Sequence, residues 1–259
     1  MAKGKKGKEG KEGKEVFIMM RKGFTGISCL VAGIMFLLCL VVTMPIGEAK
    51  AEVTRIILVR HGQTDYNVQD LYQGSLDIPL NETGLMQADM LAESIKELPI
   101  DVFISSPLER AYVTTEKCAK AKGMEISYTD PRLTEISYGE WEGRTKKEVS
   151  KENKELAKKW KKEPWNTQIP GGETLQQLQE RYRAAIDDAV ERYPGKTIFI
   201  GAHSKGNMAL MCSILGIGLD HYLQFKQDNT CINVLEYKKG QWKLVLLNSI
   251  AHTGKLYKY

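Results

Sequence analysis

Three short polar clusters stand directly behind apolar, β-branched runs. Leu58-Val59 leads into Arg60-His61-Gly62-Gln63-Thr64, and Val102-Phe103-Ile104 leads into Ser105-Ser106 with Arg110 just beyond. Residues 197–201 (TIFIG) lead into Ala202-His203-Ser204. Two of the chain's four histidines therefore sit at strand ends. An imidazole serves as nucleophile or proton carrier near neutral pH. Arg60 and Arg110 offer forked donors for phosphate or carboxylate oxygens, and the helix opening at Ser106-Pro107 offers unpaired N–H groups. Gly62 lets backbone approach a ligand closely. Two histidines, two arginines and a helix terminus describe an oxyanion site, most simply a phosphoryl site, wherever a fold brings the clusters together.

The elements around them supply that condition. Val53 to Val59 (VTRIILV) reads as a buried strand. Asn81-Glu82-Thr83 opens a helix with Leu85, Ala88, Leu91, Ile95 and Leu98 on one face, ended by Pro99. Residues 102–104 are a second strand. Ser106-Pro107 is an N-cap and first-turn pair for a helix striped by Leu108, Ala111, Thr115 and Cys118 and closed by Gly123. Residues 125–128 read as a third strand. After a Lys-rich stretch (144–162) and the Pro170-Gly171-Gly172 break, residues 173–193 form a helix with Leu175, Leu178, Tyr182, Ala185 and Ala189 inward. The TIFIG strand, a helix from about Lys205 and a hairpin turning at Lys239-Gly240 complete the chain. Strands separated by helices predict an α/β domain, a three-layer α/β/α sandwich around a mainly parallel sheet. In such sheets the ligand crevice lies beyond the C-terminal strand ends, where the three clusters emerge.

Taken together and in order, Leu58 to Thr64, Asn67, Gln73-Gly74, Ser105-Ser106-Pro107-Leu108-Glu109-Arg110-Ala111, Leu133-Thr134-Glu135, Gly139-Glu140-Trp141-Glu142-Gly143, Pro170-Gly171-Gly172-Glu173 and Ala202-His203 resemble the motifs of the histidine phosphatase superfamily, in its phosphoglycerate-mutase-like branch. The homologous domain is taken as residues 53–259. The resemblance implies hydrolysis of phosphate monoesters through a phosphohistidine on His61. It implies that Arg60, Arg110 and His203 neutralise the equatorial oxygens. It also implies that Gly62, Asn67, Gln73, Gly74 and Ser204 complete the substrate-binding set. Glu135, with Glu140 and Glu142 as nearby competitors, protonates the leaving alkoxide and then takes a proton from water. No metal or other cofactor is implied, and the sequence carries no HExxH, CxxC or acidic ligand cluster. One departure stands out. The family commonly follows the second histidine with small residues, whereas here Ser204-Lys205-Gly206-Asn207 follow.

The N-terminal region is of another kind. Residues 1–22 form a basic, low-complexity tail that cannot build a core. Residues 23–47 contain no charge, and eleven Leu, Ile, Val or Phe lie between Ile27 and Ile46. At roughly 0.3–0.6 kcal/mol each they favour bilayer insertion by about 3–7 kcal/mol. Eight Lys/Arg precede the run, which predicts an N-terminus inside the cytoplasm and a catalytic domain outside it. The length of the run favours a retained single-pass anchor in the cell membrane. Ala49-Lys50-Ala51, in the 48–52 linker, also fits a signal-peptidase site, and cleavage there would give a secreted domain.

Residues 1–51 hold nine Lys/Arg against four acids, which accounts for the whole formal charge of +5. The rest of the chain is neutral, which argues against nucleic acid as a partner and leaves a small phosphorylated substrate and the membrane. The lysines of 144–162 occupy the place of the family's substrate-covering insert and read as a solvated amphipathic surface that can attract an anion. His221 and His252 fall in no motif and read as structural or surface residues. Cys118, Cys212 and Cys231 allow at most one internal disulfide and require none, while Cys29 and Cys39 read as apolar filler in the N-terminal run. Other readings of the domain are a mutase of the same fold, a non-catalytic phospho-ligand module, and a serine hydrolase with Ser204 as nucleophile and Asp220 or Asp228 and His252 behind it. The sequence does not speak to oligomeric state.

Overall fold

The computed structural model describes residues 52–255. The basic tail, the apolar run with its two cysteines and the Ala51 cleavage site lie outside the described residues. Among those described, no helix is long and apolar enough to cross a membrane.

Six strands make one mixed sheet in the order β3-β2-β4-β1-β5-β6. They are β1 (Thr54–Arg60), β2 (Val102–Ser105), β3 (Tyr128–Thr129), β4 (Thr197–Ala202), β5 (Ile232–Lys238) and β6 (Gln241–Ser249). β1 to β4 run parallel, and the β5–β6 hairpin adds antiparallel to the free side of β1. The sheet is therefore a parallel core with an antiparallel edge. The hairpin turn at Lys239-Gly240 has positive φ at both residues, 50° and 80°, the handedness that matches strand twist.

Among the described residues seven α-helices are interleaved: α1 (Asp65–Val68), α2 (Glu82–Ser94), α3 (Glu109–Ala121), α4 (Lys146–Glu152), α5 (Lys154–Lys162), α6 (Leu175–Arg192) and α7 (Ser204–Leu215). The strand pleat sends alternate residues into two separate cores. Ile56, Leu58, Ile198 and Ile200 pack under α6 and α7. Ile57, Val59, Phe103 and Phe199 pack under α2 and α3. Both sheet faces are thus covered, which is why β1 and β4 read as unbroken apolar runs. All five inward positions expected on α6 are buried, and Thr174 caps it with a reciprocal box to Gln177.

Local expectations fail in several places, and the third strand is Tyr128–Thr129 rather than 125–128. Leu85 and Leu98 are 39% and 41% exposed. α2 ends at Ser94, short of Leu98, and it meets the sheet through Ala88, Leu91 and Ile95, a stripe narrower than the apolar pattern. Ser106-Pro107 is not the start of α3. The N-cap is Leu108, with no side-chain cap bond of its own, while Ser106 Oγ accepts from Leu108 N at 3.3 Å and also meets His203 Nε2. The Lys-rich stretch is two helices, α4 and α5, broken at Asn153. Its Trp160 is buried in an aromatic cluster with Tyr72, Tyr138 and Trp141, whose ring centroids lie 5.6–6.5 Å from it. Cys118, Cys212 and Cys231 are all buried and free.

Candidate active site

His61 follows the last residue of β1, and its backbone N–H still bonds Ala202 O of β4 at 3.1 Å. The sheet therefore carries the side chain to the C-terminal edge before the chain turns away. His61 is 3% exposed, and its Nδ1 lies 2.6 Å from Gly62 O. A carbonyl can only accept, so Nδ1 carries the proton and Nε2 keeps a lone pair. Burial, then Arg110 and Arg60, push the His61 pKa well below the ordinary histidine value. At neutral pH the ring is uncharged and held in one tautomer, with the Nε2 lone pair free for nucleophilic attack.

His203 is the N-cap of α7, directly after β4, and is fully buried. Its ring centroid is 5.2 Å from that of His61, its Nε2 is 2.8 Å from Ser106 Oγ, and its Nδ1 has no partner. Burial, Arg110 and His61 hold its pKa well below the ordinary value. His203 is thus an uncharged hydrogen-bonding group at neutral pH.

Arg110 is fully buried on the first turn of α3. Its Nη1 and Nη2 donate to Leu76 O (2.7 Å) and Gly74 O (2.8 Å). The Gln73 amide satisfies both its neighbours when its nitrogen faces Thr64 Oγ1 (2.6 Å) and its oxygen faces Arg110 Nε and Nη1 (3.0 Å). Gln73 and Gly74 therefore aim the guanidinium. Burial lowers the Arg110 pKa to about 10, which leaves it charged at neutral pH. Arg60 donates from Nη1 to Gln227 O at 2.7 Å, and its buried Nε has no partner. Asn67 Oδ1 accepts from Thr64 N and Asn229 Nδ2.

Glu135 is 8% exposed and sits where α7 begins. Oε2 accepts from Lys205 N at 3.1 Å, and Oε1 accepts from Ile136 N at 3.0 Å and Gly206 N at 3.3 Å. The helix N-terminus therefore faces a carboxylate, as its dipole favours. Arg181 of α6 fastens the same loop by donating to Arg132 O, Thr134 O and Glu135 O. Sequence reading passed over Arg181, because it looks like one more charge on an amphipathic helix. The competitors fall away. Glu142 is tied to Ser75 and Tyr138 N, and Glu140 is exposed and outside the cavity.

Arg60, His61, Asn67, Gln73, Gly74, Arg110, Glu135 and Ser204 line one cavity of about 230 Å³. Its outer wall adds Tyr72, Tyr138, Trp160, Lys146 and Lys205. Tyr72, Tyr138 and Trp160 were not among the residues expected at the site, and Ser106 was expected to cap a helix rather than to bond His203. A hollow of about 300 Å³ beside Met86 and Met90 holds neither histidine.

Two sequence expectations are corrected here. Gly62 does not open the backbone to a ligand: its N–H bonds Thr114 Oγ1, and a Cβ on it would lie 2.5 Å from Gly84 O. Its lack of a side chain serves packing against the start of α2. The N-terminus of α3 is not free for a phosphate either, since Glu109 N donates to Asp77 Oδ1 at 2.7 Å. The serine-hydrolase arrangement does not assemble. His252 bonds Thr230 Oγ1, Asp228 bonds Asn248, and Asp220 lies beside the exposed His221.

A profile of the histidine phosphatase superfamily (branch 1) matches residues 56–250. Phosphoserine phosphatase 1 of Hydrogenobacter thermophilus is 32% identical over 203 residues, 78% of this chain and 96% of the relative. The "Probable phosphoglycerate mutase GpmB" of Yersinia pestis (strain Pestoides F) is 30% identical over 73% of this chain and 87% of its own. Among solved structures, phosphoserine phosphatase from Entamoeba histolytica in complex with 3-phosphoglyceric acid superposes with a TM-score of 0.70. It is 28% identical and covers 77% of this chain and 98% of its own. With its paired histidines and buried arginines at one sheet edge, this chain belongs to the histidine phosphatase superfamily.

Proposed function

We propose that the protein is a phosphatase that hydrolyses small phosphate monoesters through a phosphohistidine on His61. The observation that carries this reading is the buried, neutral His61, with Nδ1–H fixed on Gly62 O and Nε2 left to attack. Nε2 bonds to phosphorus as the ester P–O bond breaks, and Glu135 gives a proton to the departing oxygen. Arg60 and Arg110, with His203 as a neutral partner, hold the non-bridging oxygens, where charge spreads in the transition state. Asn67 adds a side-chain amide. Water then attacks phosphorus, the P–N bond breaks, Glu135 takes the water's proton, and inorganic phosphate leaves. The two guanidinium groups supply the positive charge that a metal ion would otherwise provide, so the reaction proceeds without one. The cavity, at about 230 Å³, is smaller than pockets for drug-sized ligands, which start near 300 Å³, and favours a small substrate.

The full chain should release phosphate from an aryl phosphate with chelator present. His61→Ala should abolish the acid-labile phosphoenzyme, and Ser204→Ala should retain it. Activity lost to chelator, or a phosphoenzyme that survives His61→Ala, overturns the mechanism. The similarity to GpmB favours one second reading, phosphoglycerate-mutase-type transfer. Incubation with 3-phosphoglycerate and a bisphosphorylated primer separates the two: a phosphatase yields inorganic phosphate and a mutase yields 2-phosphoglycerate. The reading extends to location. Residues 23–47, behind eight cations, hold the catalytic domain on the outer side of the cell membrane, with the helix retained.

A further inference from the structure

We propose that Lys205 is a specificity-determining residue, whose ammonium receives a carboxylate carried on the leaving-group side of the substrate. The proposal rests on the phosphatase reading above and assigns a task to the residue at which this chain departs from its family's small-residue pattern.

Position comes first. Lys205 is the second residue of α7, two places after His203, and lines the same cavity as His61. Its backbone N–H holds Glu135 Oε2. The group that protonates the leaving oxygen and the Lys205 side chain therefore spring from one contact, which sets Lys205 on the side where the leaving group must lie. Tyr138 and Trp160 line the same cavity.

The ammonium itself is incompletely satisfied. Nζ lies 5.0 Å from the centroid of the Tyr222 ring, a cation–π contact, and no ion pair among the described residues includes it. The neighbouring cation, Lys146, already pairs with Asp70. Glu135 attracts the ammonium without forming an ion pair with it, and a half-buried ammonium so placed on a cavity wall is a receptor for an anion. Burial lowers the Lys205 pKa from the ordinary lysine value, and an anionic guest offsets that cost.

The charge balance agrees. The cavity is lined by four cations, Arg60, Arg110, Lys146 and Lys205, and by two carboxylates, Asp70 and Glu135. When Glu135 carries the proton it is to deliver, Asp70 alone opposes the four cations. A phosphoryl dianion plus one carboxylate matches the remaining excess. A monoester with an uncharged tail leaves one positive charge unmatched.

The test is a matched pair on the full chain: 3-phosphoglycerate and glycerol 3-phosphate, which share a carbon skeleton and differ in carboxylate against hydroxymethyl. The wild type should favour 3-phosphoglycerate in kcat/KM by about 10- to 100-fold, the size of a hydrogen bond to a charged group. Lys205→Met keeps the stem and the backbone bond to Glu135, and should collapse that ratio toward one. Lys205→Arg should restore most of it. A ratio near one in the wild type, or a ratio that Lys205→Met leaves unchanged, overturns the proposal. Should neither compound turn over, the phosphatase reading fails separately. Ligand-induced thermal shifts in His61→Ala, with and without Lys205→Met, then decide the point: the shift with 3-phosphoglycerate should exceed that with glycerol 3-phosphate only while Lys205 is present, and equal shifts overturn it.

Discussion

His61 and His203 are both held neutral by burial and by nearby guanidinium groups, and this has two separable consequences. For catalysis, the acid limb of kcat/KM due to His61 protonation should lie well below pH 6.5. A limb centred at an ordinary histidine value would contradict the buried tautomer. For stability, the folded pKa values are depressed, so the unfolded chain binds more protons as pH falls. Stability is then full above about pH 6.5, the unfolded value, and is lost below it, at up to about 1.4 kcal/mol per pH unit for each histidine. Thermal unfolding between pH 7.5 and 5 should show this decline, and His61→Asn should make it shallower by about one proton. Glu135 gives a third test. Glu135→Gln should slow alkyl phosphates by about 10²–10⁴-fold and an aryl ester with an acidic leaving group far less. Equal losses on both esters would move the acid role elsewhere.

At the scale of elements, the site depends on how closely α7 approaches α6. A Cβ on Gly206 would lie 1.9–2.3 Å from the outer end of the Tyr182 side chain, and Tyr182 is fully buried with its hydroxyl on Leu133 O. Gly206→Ala must therefore push apart two helices that together hold the Glu135 loop. It should cost about 1–3 kcal/mol in denaturant unfolding and lower activity. Gly123→Ala is the control, because φ is +68° but nothing lies within 4 Å. It should cost about 1–2 kcal/mol and leave activity intact. These elements differ in how legible they are. β1, β4 and α6 could be read directly, because burial on two faces or one stripe leaves a pattern in neighbouring residues. The clusters at the strand ends were legible for the same reason. What could not be read is whatever depends on a distant partner. The Lys205 ammonium lies against Tyr222, in a separate 3₁₀ turn, and Ser106 Oγ bonds His203, 97 positions away. Local periodicity carries no trace of either pairing.

For the whole molecule, the uneven charge makes location testable. A reporter fused after Tyr259 distinguishes the sides of the membrane. Alkaline phosphatase should be active there, and a fluorescent protein that matures only in the cytoplasm should stay dark. The opposite pattern refutes export. Salt and carbonate washes should leave the domain in the membrane pellet if the helix is retained, since a neutral domain has little electrostatic hold on anionic lipid. The sheet order has a consequence for synthesis. β1, which leads into His61, pairs Arg55 with Thr197 on one side and with Glu236 on the other. Both neighbours leave the ribosome long after β1 does. At 5–20 residues per second, an apolar strand waits roughly 10–35 s before its second partner exists. Catalytic competence is thus withheld until translation is nearly finished, and through that interval the apolar strand is open to pairing with a stranger.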